Sequence, residues 1–333
     1  MIPLRKSALR AATLALSLSA ALVLSACAKP SAPAVTTTTQ AATETVMPTI
    51  AEDVVQFQGE NYRLREDWQT ILILGLDKFE REEQTIAYTN KMQADFLLLA
   101  IIDEKANTCS LLHLNRDTMT EIPRLGLGGA GAGSFIGQLA LAHTYGSGGS
   151  DSSLNAVKAV SNLLGGVKID HYITLTMDAV GKINDLVGGV TLTLLDDFTD
   201  LDPAMEQGKE MTLKGEQALL YVRNRAELDD SSNLRRMERQ RQYLNEFYKA
   251  LMEKNKTVDG FLSSALLKVN DSFASDCSVN QLNELSKVLE KCELQPIVSI
   301  DGQAVQGEEF VEFYVDEDSL QETVISLFYE KAD

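Results

Sequence analysis

The chain has 333 residues, of which 44% are hydrophobic, so it can bury a sizeable core as one large domain or two small ones. Its formal net charge is -18, with 48 acidic against 30 basic residues. This balance argues against a nucleic-acid partner, because such a contact needs a basic surface. An anionic ligand would have to meet a local cluster of arginines.

Residues 1–26 have the pattern of an export signal. Positive charges within residues 5–10 precede an apolar run over residues 11–24, which is too short to favour a spanning helix. The run ends in Leu24-Ser25-Ala26-Cys27, which resembles the bacterial lipobox. We therefore expect Cys27 to be acylated and to anchor a lipoprotein on the outer, extracytoplasmic face of the cytoplasmic membrane. A plain secretory signal, cleaved after small residues, is the alternative.

Residues 27–61 are polar and contain prolines, and we interpret them as a flexible tether. One catalytic domain is then expected over residues 62–333. Within it, apolar runs predict strands at 71–74, 96–102, 110–114, 172–175 and 190–194. Helical segments are predicted at 153–164, 179–186, 233–253 and 279–291, with a strand at 309–315 and a last helix from Ser319. This alternation predicts a three-layer α/β/α domain around a central mixed sheet that is covered on both faces.

Three cysteines follow Cys27. Cys109 lies among apolar residues, which predicts a buried thiol without chemistry. Cys277 and Cys292 flank a helical stretch, and whether they pair in an exported protein is left open by the sequence. No cysteine pair has CxxC spacing, and the chain has three histidines, so local spacing argues against a zinc site.

Two aspartates stand beside predicted strands. Asp77 comes just after the run at 71–74, at the carboxyl end of a strand, where open α/β sheets gather their sites. Asp95 directly precedes the strand predicted at 96–102. Two carboxylates brought together could hold magnesium, which prefers oxygen ligands and shares itself with substrate phosphates. Taken singly, each could be an ordinary loop or cap residue.

Arg116 belongs to the segment Asn115-Arg116-Asp117-Thr118, which directly follows the strand predicted at 110–114. Its planar guanidinium can bind phosphate oxygens through two parallel hydrogen bonds. A solvent-exposed pair with Asp117 is the alternative, and such a pair would contribute little energy.

The densest positive charge lies between residues 221 and 240. In an extended segment Arg223 and Arg225 would point to one face, and in a helix Arg236, Arg239 and Gln240 would share one stripe. This arrangement can surround a pyrophosphate from two sides. A solvated helix face would explain the helical charges alone, but two further arginines before the helix of an acidic chain favour anion binding.

These elements belong to a longer ordered series of motifs, and the chain resembles the LytR-CpsA-Psr family over about residues 71–244. The matching segments are Gly75-Leu76-Asp77, Ala94-Asp95, Asn115-Arg116-Asp117-Thr118, residues 140–149, Ile169-Asp170-His171-Tyr172, Leu186-Val187-Gly188-Gly189-Val190, Leu213-Lys214-Gly215-Glu216-Gln217-Ala218-Leu219, Arg223-Asn224-Arg225 and Arg236-Met237-Glu238-Arg239-Gln240. No single motif would be sufficient, whereas the ordered series is specific.

The resemblance implies an apolar groove for a polyprenyl tail, and transfer of a glycosyl phosphate from a polyprenyl-pyrophosphate-linked glycan to a hydroxyl of peptidoglycan. By matching positions it implies that Asp77 and Asp95 bind Mg²⁺. The residues expected to bind the pyrophosphate are Arg116, Arg223, Arg225, Arg236 and Gln240. Arg116 and Asp95 are the expected catalytic residues, with Asp95 as the base for the acceptor hydroxyl.

Gln93 is the main departure from the family pattern, which commonly has an arginine at that position. The change could weaken one phosphate contact or the binding of the acceptor. At the entry of the helix, Asn233 and Arg235 replace the usual aspartate and glycine, although Asn233 can still cap the helix. Most relatives also carry an N-terminal spanning helix, where this chain is expected to use a lipid on Cys27.

Two other functions remain open. The same residues could let water attack, which would make the protein a polyprenyl-pyrophosphate phosphatase. A non-catalytic, polyprenyl-phosphate-binding regulatory lipoprotein would be consistent with Gln93, although retention of the other motif residues argues against it. The glycopolymer itself, whether teichoic acid, capsular polysaccharide or another glycan, is not decided by the sequence.

Overall fold

The computed structural model describes residues 54–66, 68–77, 92–126, 129–146, 150–224 and 233–332. Its strands are β1 (Val54–Phe57), β2 (Glu60–Leu64), β3 (Trp68–Leu76), β4 (Ala94–Asp103), β5 (Thr108–Leu114), β6 (Met119–Leu125), β7 (Gly131–Gln138), β8 (His171–Thr176), β9 (Val190–Thr193), β10 (Glu210–Leu213), β11 (Phe273–Ser275), β12 (Glu293–Leu294), β13 (Gly302–Gln306), β14 (Val311–Val315) and β15 (Tyr329–Lys331). Its helices are α1 (Leu141–Thr144), α2 (Ser150–Leu163), α3 (Met177–Val187), α4 (Gly215–Arg223), α5 (Asn233–Thr257), α6 (Phe261–Lys268), α7 (Val279–Leu289) and α8 (Glu317–Phe328).

A central sheet joins six of these strands in the order β11-β8-β3-β4-β5-β12. β3 runs parallel to β8 and β5 runs parallel to β12, whereas the other neighbours are antiparallel. The predicted mixed sheet is therefore confirmed. The apolar run at 190–194 also forms a strand, β9, but it pairs with β10 in a separate two-stranded sheet.

Successive residues of the central strands alternate between two apolar cores. Leu72 on β3 and Leu99 on β4 lie in one core together with residues of α2 and α8. Ile71 and Leu98, on the same two strands, lie in the other core with residues of α6 and α7. Because both faces of the sheet are covered, these strands are near-continuous apolar runs, as the predicted three-layer architecture requires.

The N-terminal hairpin corrects the predicted domain boundary. β1 pairs with β2 through a turn in which Gln58 and Gly59 have φ values of 50° and 82°, and β2 pairs on its other side with β15. Residues 54–61 are therefore folded, although we predicted a tether there. β15 lies at the far end of the chain, so this pairing could not be read from the local sequence. The predicted signal peptide, Cys27 and the rest of the tether lie outside the described residues.

The long polar helix predicted from Asn233 is α5, and it extends to Thr257. Its apolar side, which includes Tyr243 and Leu251, packs into a third core with residues of α3, α4, β9 and β10. Within the described ranges, no helix combines the length and the apolar character that crossing a membrane requires.

The cysteines within the described residues are all free thiols. Cys109 on β5 is 2% exposed, and burial raises the pKa of its thiol to about 12, so it carries no thiolate near neutral pH. Its expected role as a small buried residue is confirmed. Cys277 and Cys292 are not joined, so the disulfide that the sequence left open is not formed in this structure.

Two buried histidines make the fold sensitive to acid. Burial, with Arg241 and Arg236 nearby, lowers the pKa of His113 to about 3, and burial lowers the pKa of His143 to about 4. In the unfolded chain both side chains take up a proton below about pH 6.5. The unfolded state therefore binds more protons between these values, so acidification through this window favours unfolding.

We predict that the free energy of unfolding, measured by urea denaturation, falls by up to about 1.4 kcal/mol per pH unit for each histidine between about pH 6 and pH 4.5. In the variant His113→Leu, the decrease in the free energy of unfolding per pH unit should be smaller by the contribution of one histidine. A slope in the variant equal to that of the wild-type protein would contradict the prediction.

Candidate functional site

Asp77 and Asp95 lie at the same edge of the central sheet, because β3 ends where its antiparallel neighbour β4 begins. The pairing is regular up to Gly75 opposite Phe96, and it shifts by one residue beyond them. Asp95 is the extra residue of this β-bulge, a feature that redirects a side chain. It therefore lies inside β4, not before the strand as the sequence predicted, and next to the end of β3 that leads into Asp77.

Arg116, the second residue after β5, binds Asp95. Its Nη1 donates to Asp95 Oδ1, and its Nη2 donates to Gln93 Oε1 at 2.8 Å. The two charged side chains are only 12% and 18% exposed, so this is a shielded ion pair. Arg116 Nε also lies 3.3 Å from Asp117 Oδ1, and Asp117 is itself buried. The alternative of a solvent-exposed Arg116–Asp117 pair is therefore wrong.

The first turns of α5 add two further polar groups. Arg236 is buried, and its Nη2 donates to Asn233 Oδ1 at 2.7 Å and to the backbone oxygen of Asp95 at 3.3 Å. Gln240, one turn later, donates from Nε2 to the backbone oxygen of Val222 at 2.9 Å. Arg236 thus contacts Asp95, whereas Gln240 contacts the end of α4, and the two side chains share one side of α5 as their helical spacing predicted.

Arg223 approaches the same edge from another direction. It is the last residue of α4, so the extended segment that we predicted for Arg223 and Arg225 does not begin there. Its Nη2 lies 3.0 Å from Asp77 Oδ1, and both side chains are about half exposed. Arg225 lies outside the described residues. Each aspartate of the site is therefore paired with a different arginine.

Arg239 does not face the same side of α5 as Arg236 and Gln240. The prediction that it shares one stripe with them for anion binding is therefore wrong. Its side chain is fully buried, and its Nη1 donates to Asp196 Oδ2 at 2.5 Å. Further donations go to the backbone oxygens of Tyr221 and Asn224, and the guanidinium stacks on Phe198. Arg239 therefore connects α4, α5 and the loop after β9, and has a structural role.

An apolar cavity of about 200 Å³ adjoins this charged edge. β3, β4 and β8 form one side, and α3 and α5 form the other. The lining includes Ile73, Leu98, Leu175, Val180, Ile183, Tyr243 and Phe247. Gln240 and Val222 also line the cavity, so the hydrogen bond between them lies where the cavity meets the cluster of arginines.

The sequence did not predict the roles of some of these residues. The cavity lining could not be distinguished from core positions, since both are apolar. The partnership of Gln93 with Arg116 was also missed, although its position two residues before Asp95 could have indicated it. His113 lies beneath the site as a buried neutral ring, and Arg236 and Arg241 help to keep it unprotonated by lowering its pKa.

Comparison with known proteins assigns the chain to a family. The profile of the LytR_cpsA_psr family matches residues 33–327, which is most of the chain. The chain belongs to the LytR_cpsA_psr family. The resemblance inferred from the ordered motifs is therefore confirmed.

The family includes curated relatives that are named as transferases. The chain is 31% identical over 173 residues to the polyisoprenyl-teichoic acid--peptidoglycan teichoic acid transferase TagU of Halalkalibacterium halodurans. This match covers 52% of this chain and 50% of the relative. The chain is 28% identical over 236 residues to the corresponding transferase TagV of Bacillus subtilis, covering 69% and 53%. The matched region thus spans about half the length of these relatives.

Solved structures of family members share the fold. A structure titled "TagT bound to LIIa-WTA" superposes with a TM-score of 0.60 at 22% identity, covering 85% of this chain and 97% of that one. The protein gbs0355 from Streptococcus agalactiae superposes with a TM-score of 0.63 at 19% identity, covering 78% and 86%. At these identities the likeness concerns the fold alone.

We predict that Arg239→Met lowers the free energy of unfolding by about 3 kcal/mol. The variant leaves the backbone oxygens of Tyr221 and Asn224 without their donor, and it removes the fully buried one of the two arginines that pair with Asp196. Urea denaturation would measure the loss. Arg235→Met is the matched control: Arg235 also pairs with Asp196 but is 23% exposed, and its removal leaves the Arg239 contact in place. Equal losses in the two variants would contradict the structural role of Arg239.

Proposed function

We propose that this protein transfers a glycosyl phosphate from a polyprenyl-pyrophosphate carrier to a hydroxyl of peptidoglycan. The observation that carries the proposal is the junction of an arginine and aspartate cluster with an apolar cavity at Gln240. A polyprenyl pyrophosphate has the same division, with a dianionic head joined to a hydrocarbon tail. The transferase names of the relatives support the proposal.

The cavity would receive the part of the tail next to the pyrophosphate. Its lining is aliphatic and aromatic, which suits a hydrocarbon chain, since each buried methylene contributes about 0.8 kcal/mol. Gln240 lines the cavity one turn from Arg236, so a tail inside it would leave the pyrophosphate at the sheet edge with Arg116 and Arg236.

The arginines would bind the pyrophosphate oxygens. Arg116 and Arg223 are paired with Asp95 and Asp77 in this structure, so their charges are balanced before any substrate arrives. A pyrophosphate would offer these guanidinium groups bidentate partners. Phosphoryl transfer depends chiefly on positioning and on neutralising the charge that develops on the phosphates, which is what such a cluster supplies.

The same residues fit a magnesium ion. Asp77 and Asp95 present carboxylate oxygens at adjacent strand ends, and Mg²⁺ binds through one or two carboxylates together with substrate phosphates. Once bound, Mg²⁺ would neutralise negative charge on the pyrophosphate. The two carboxylates would be released to this role as Arg116 and Arg223 turn towards the phosphate oxygens.

Asp95 is the proposed base. The acceptor oxygen would form a bond to the phosphorus that carries the sugar, while the bond from that phosphorus to the bridging oxygen breaks and polyprenyl phosphate leaves. Asp95 would accept the proton of the hydroxyl. Its position on a β-bulge, where Arg236 donates to its backbone oxygen, would hold the carboxylate at the reacting phosphate.

The location of the reaction forms part of the proposal. Acylation of Cys27 would hold the domain on the outer face of the cytoplasmic membrane, where both the lipid carrier and peptidoglycan are accessible. Labelling cells with a radioactive fatty acid would test this, since Cys27→Ala should abolish the label on the protein.

We predict that Arg116→Ala lowers the rate of transfer by about 10²–10³-fold, because it removes a donor to charge that develops in the transition state. The assay would combine a synthetic polyprenyl-pyrophosphate saccharide, Mg²⁺ and peptidoglycan oligomers, and would detect the saccharide joined to the oligomer. Arg63→Ala, an exposed change on β2, is the control and should leave the rate unchanged.

The same assay separates the other functions. Release of phosphate from the substrate without joining would favour the phosphatase. Tight binding with neither product would favour a regulatory binding protein.

We also predict that Val180→Trp, which fills the cavity from α3, raises KM at least about tenfold for a substrate with a long polyprenyl chain. A substrate with a short soluble chain should be used with unchanged efficiency, because it does not need the cavity. An equal effect on both substrates would contradict a tail in this cavity.

A further inference from the structure

A second cluster of reactive side chains lies far from the arginines. Among the described residues, His171, Asp276 and Cys277 each offer one ligand atom within 4.8 Å of the other two. His171 is the first residue of β8, and the other two directly follow β11. His171 pairs with Ile71 on β3, six residues before Asp77, so the cluster lies roughly 20 Å along the sheet from the proposed transferase site.

Strand register brings these ligands together. β11 pairs antiparallel with β8, and Ser275 lies opposite Ile173. The two residues that follow β11 therefore continue alongside Tyr172 and His171. The backbone amide of Tyr172 donates to Asp276 Oδ1 at 2.9 Å, which holds the carboxylate beside the histidine. The separation in sequence explains why local cysteine spacing argued against a zinc site.

We propose that His171, Asp276 and Cys277 form a binding site for a zinc-class divalent cation. A ring nitrogen, a carboxylate oxygen and a thiolate are the three ligand types that Zn²⁺ takes in proteins. A neutral histidine with the two anionic ligands would also balance the charge of the ion.

The distances suit such a site. Metal–ligand bonds of roughly 2.0–2.3 Å in tetrahedral geometry place ligand atoms roughly 3.5 Å apart. His171 Nδ1 already lies 3.5 Å from Asp276 Oδ1, and it makes no hydrogen bond although it is buried from solvent. Small changes of side-chain rotamer would bring the thiol of Cys277 to the same separation.

Outer contacts hold the ligands in place. The Gln281 amide donates from Nε2 to His171 Nε2 at 3.3 Å, while its Oε1 accepts from the backbone amide of Ser278. An ion bound at Nδ1 would move the ring proton to Nε2, so the Gln281 amide would turn to present its oxygen there. The backbone amide of Cys277 donates to Ser275 Oγ at 3.0 Å, and that hydroxyl donates to the backbone oxygen of Tyr172 at 2.7 Å. Such contacts orient metal ligands in known sites.

The ion would connect the outermost strand of the central sheet, β11, to the helix layer. β11 is a strand of three residues at the sheet edge, and Cys277 directly precedes the N-cap of α7. A bond from the ion to His171 on β8 would therefore fix both β11 and the start of α7, so the site would stabilise the fold without taking part in transfer. The proposal is independent of the proposed transferase function.

Cobalt binding provides a direct test, because a Co²⁺–thiolate bond gives an ultraviolet charge-transfer absorption that the oxygen ligands of Asp77 and Asp95 cannot produce. The full chain would be titrated with Co²⁺ in a non-chelating phosphine reductant, and Zn²⁺ would then displace it. Every sample would carry Cys27→Ala, which removes the thiol outside the described residues. We expect one Co²⁺ per chain with the thiolate absorption.

Variants identify the ligands. Cys277→Ser should abolish the thiolate absorption, and His171→Gln should weaken Co²⁺ binding at least about tenfold. Cys292→Ser is the matched control and should change neither, while circular dichroism checks that each variant is folded. Absence of the absorption in the parent chain, or its persistence in Cys277→Ser, would overturn the proposal.

Zn²⁺ should also raise the melting temperature of the parent chain, because an ion that binds the folded state stabilises it. The same increase in Cys277→Ser would overturn the proposal, since the stabilising ion would then be bound elsewhere.

Discussion

The antiparallel pairing of β3 with β4 is the constraint on which the rest of the site depends. It buries a continuous apolar ladder between two helical layers, and it brings the end of one strand to the start of the next. The bulge at that end adds one residue, Asp95, and turns it towards Arg116. A shift of this register by one residue would exchange the two faces of β4 and move the carboxylate away from its partners.

Two arginines of the protein neutralise the two aspartates at this end of the sheet. Asp95 is paired with Arg116 and Asp77 with Arg223, and these arginines reach the aspartates from the end of β5 and the end of α4. A largely buried charge is costly unless it is paired, so these contacts keep the cluster stable without a ligand. They also hold two cations where an incoming pyrophosphate would need them, at a site of a strongly acidic protein.

Within one turn, helix α5 carries two residues with a proposed binding role and one with a structural role. Arg236 and Gln240 face the sheet edge and the cavity, whereas Arg239 is buried against Asp196 and the end of α4. The buried contacts of Arg239 hold α4 and α5 together. The position of Arg223 at the end of α4 therefore depends on a side chain that takes no part in the site.

The sequence alone determined the layered fold and the family, because apolar periodicity and ordered motifs can be read from the chain without coordinates. The motifs also indicated Asp77, Asp95, Arg116, Arg236 and Gln240 as candidate site residues, and the structure brings these candidates together where β3 ends and β4 begins. Only the tertiary structure decided the features that arise from distant pairing. Strand β15 makes residues 54–61 part of the fold, helix packing buries Arg239, and the register of β11 with β8 joins His171 to Asp276 and Cys277. Each depends on a contact between segments far apart in the chain, which local sequence patterns do not encode.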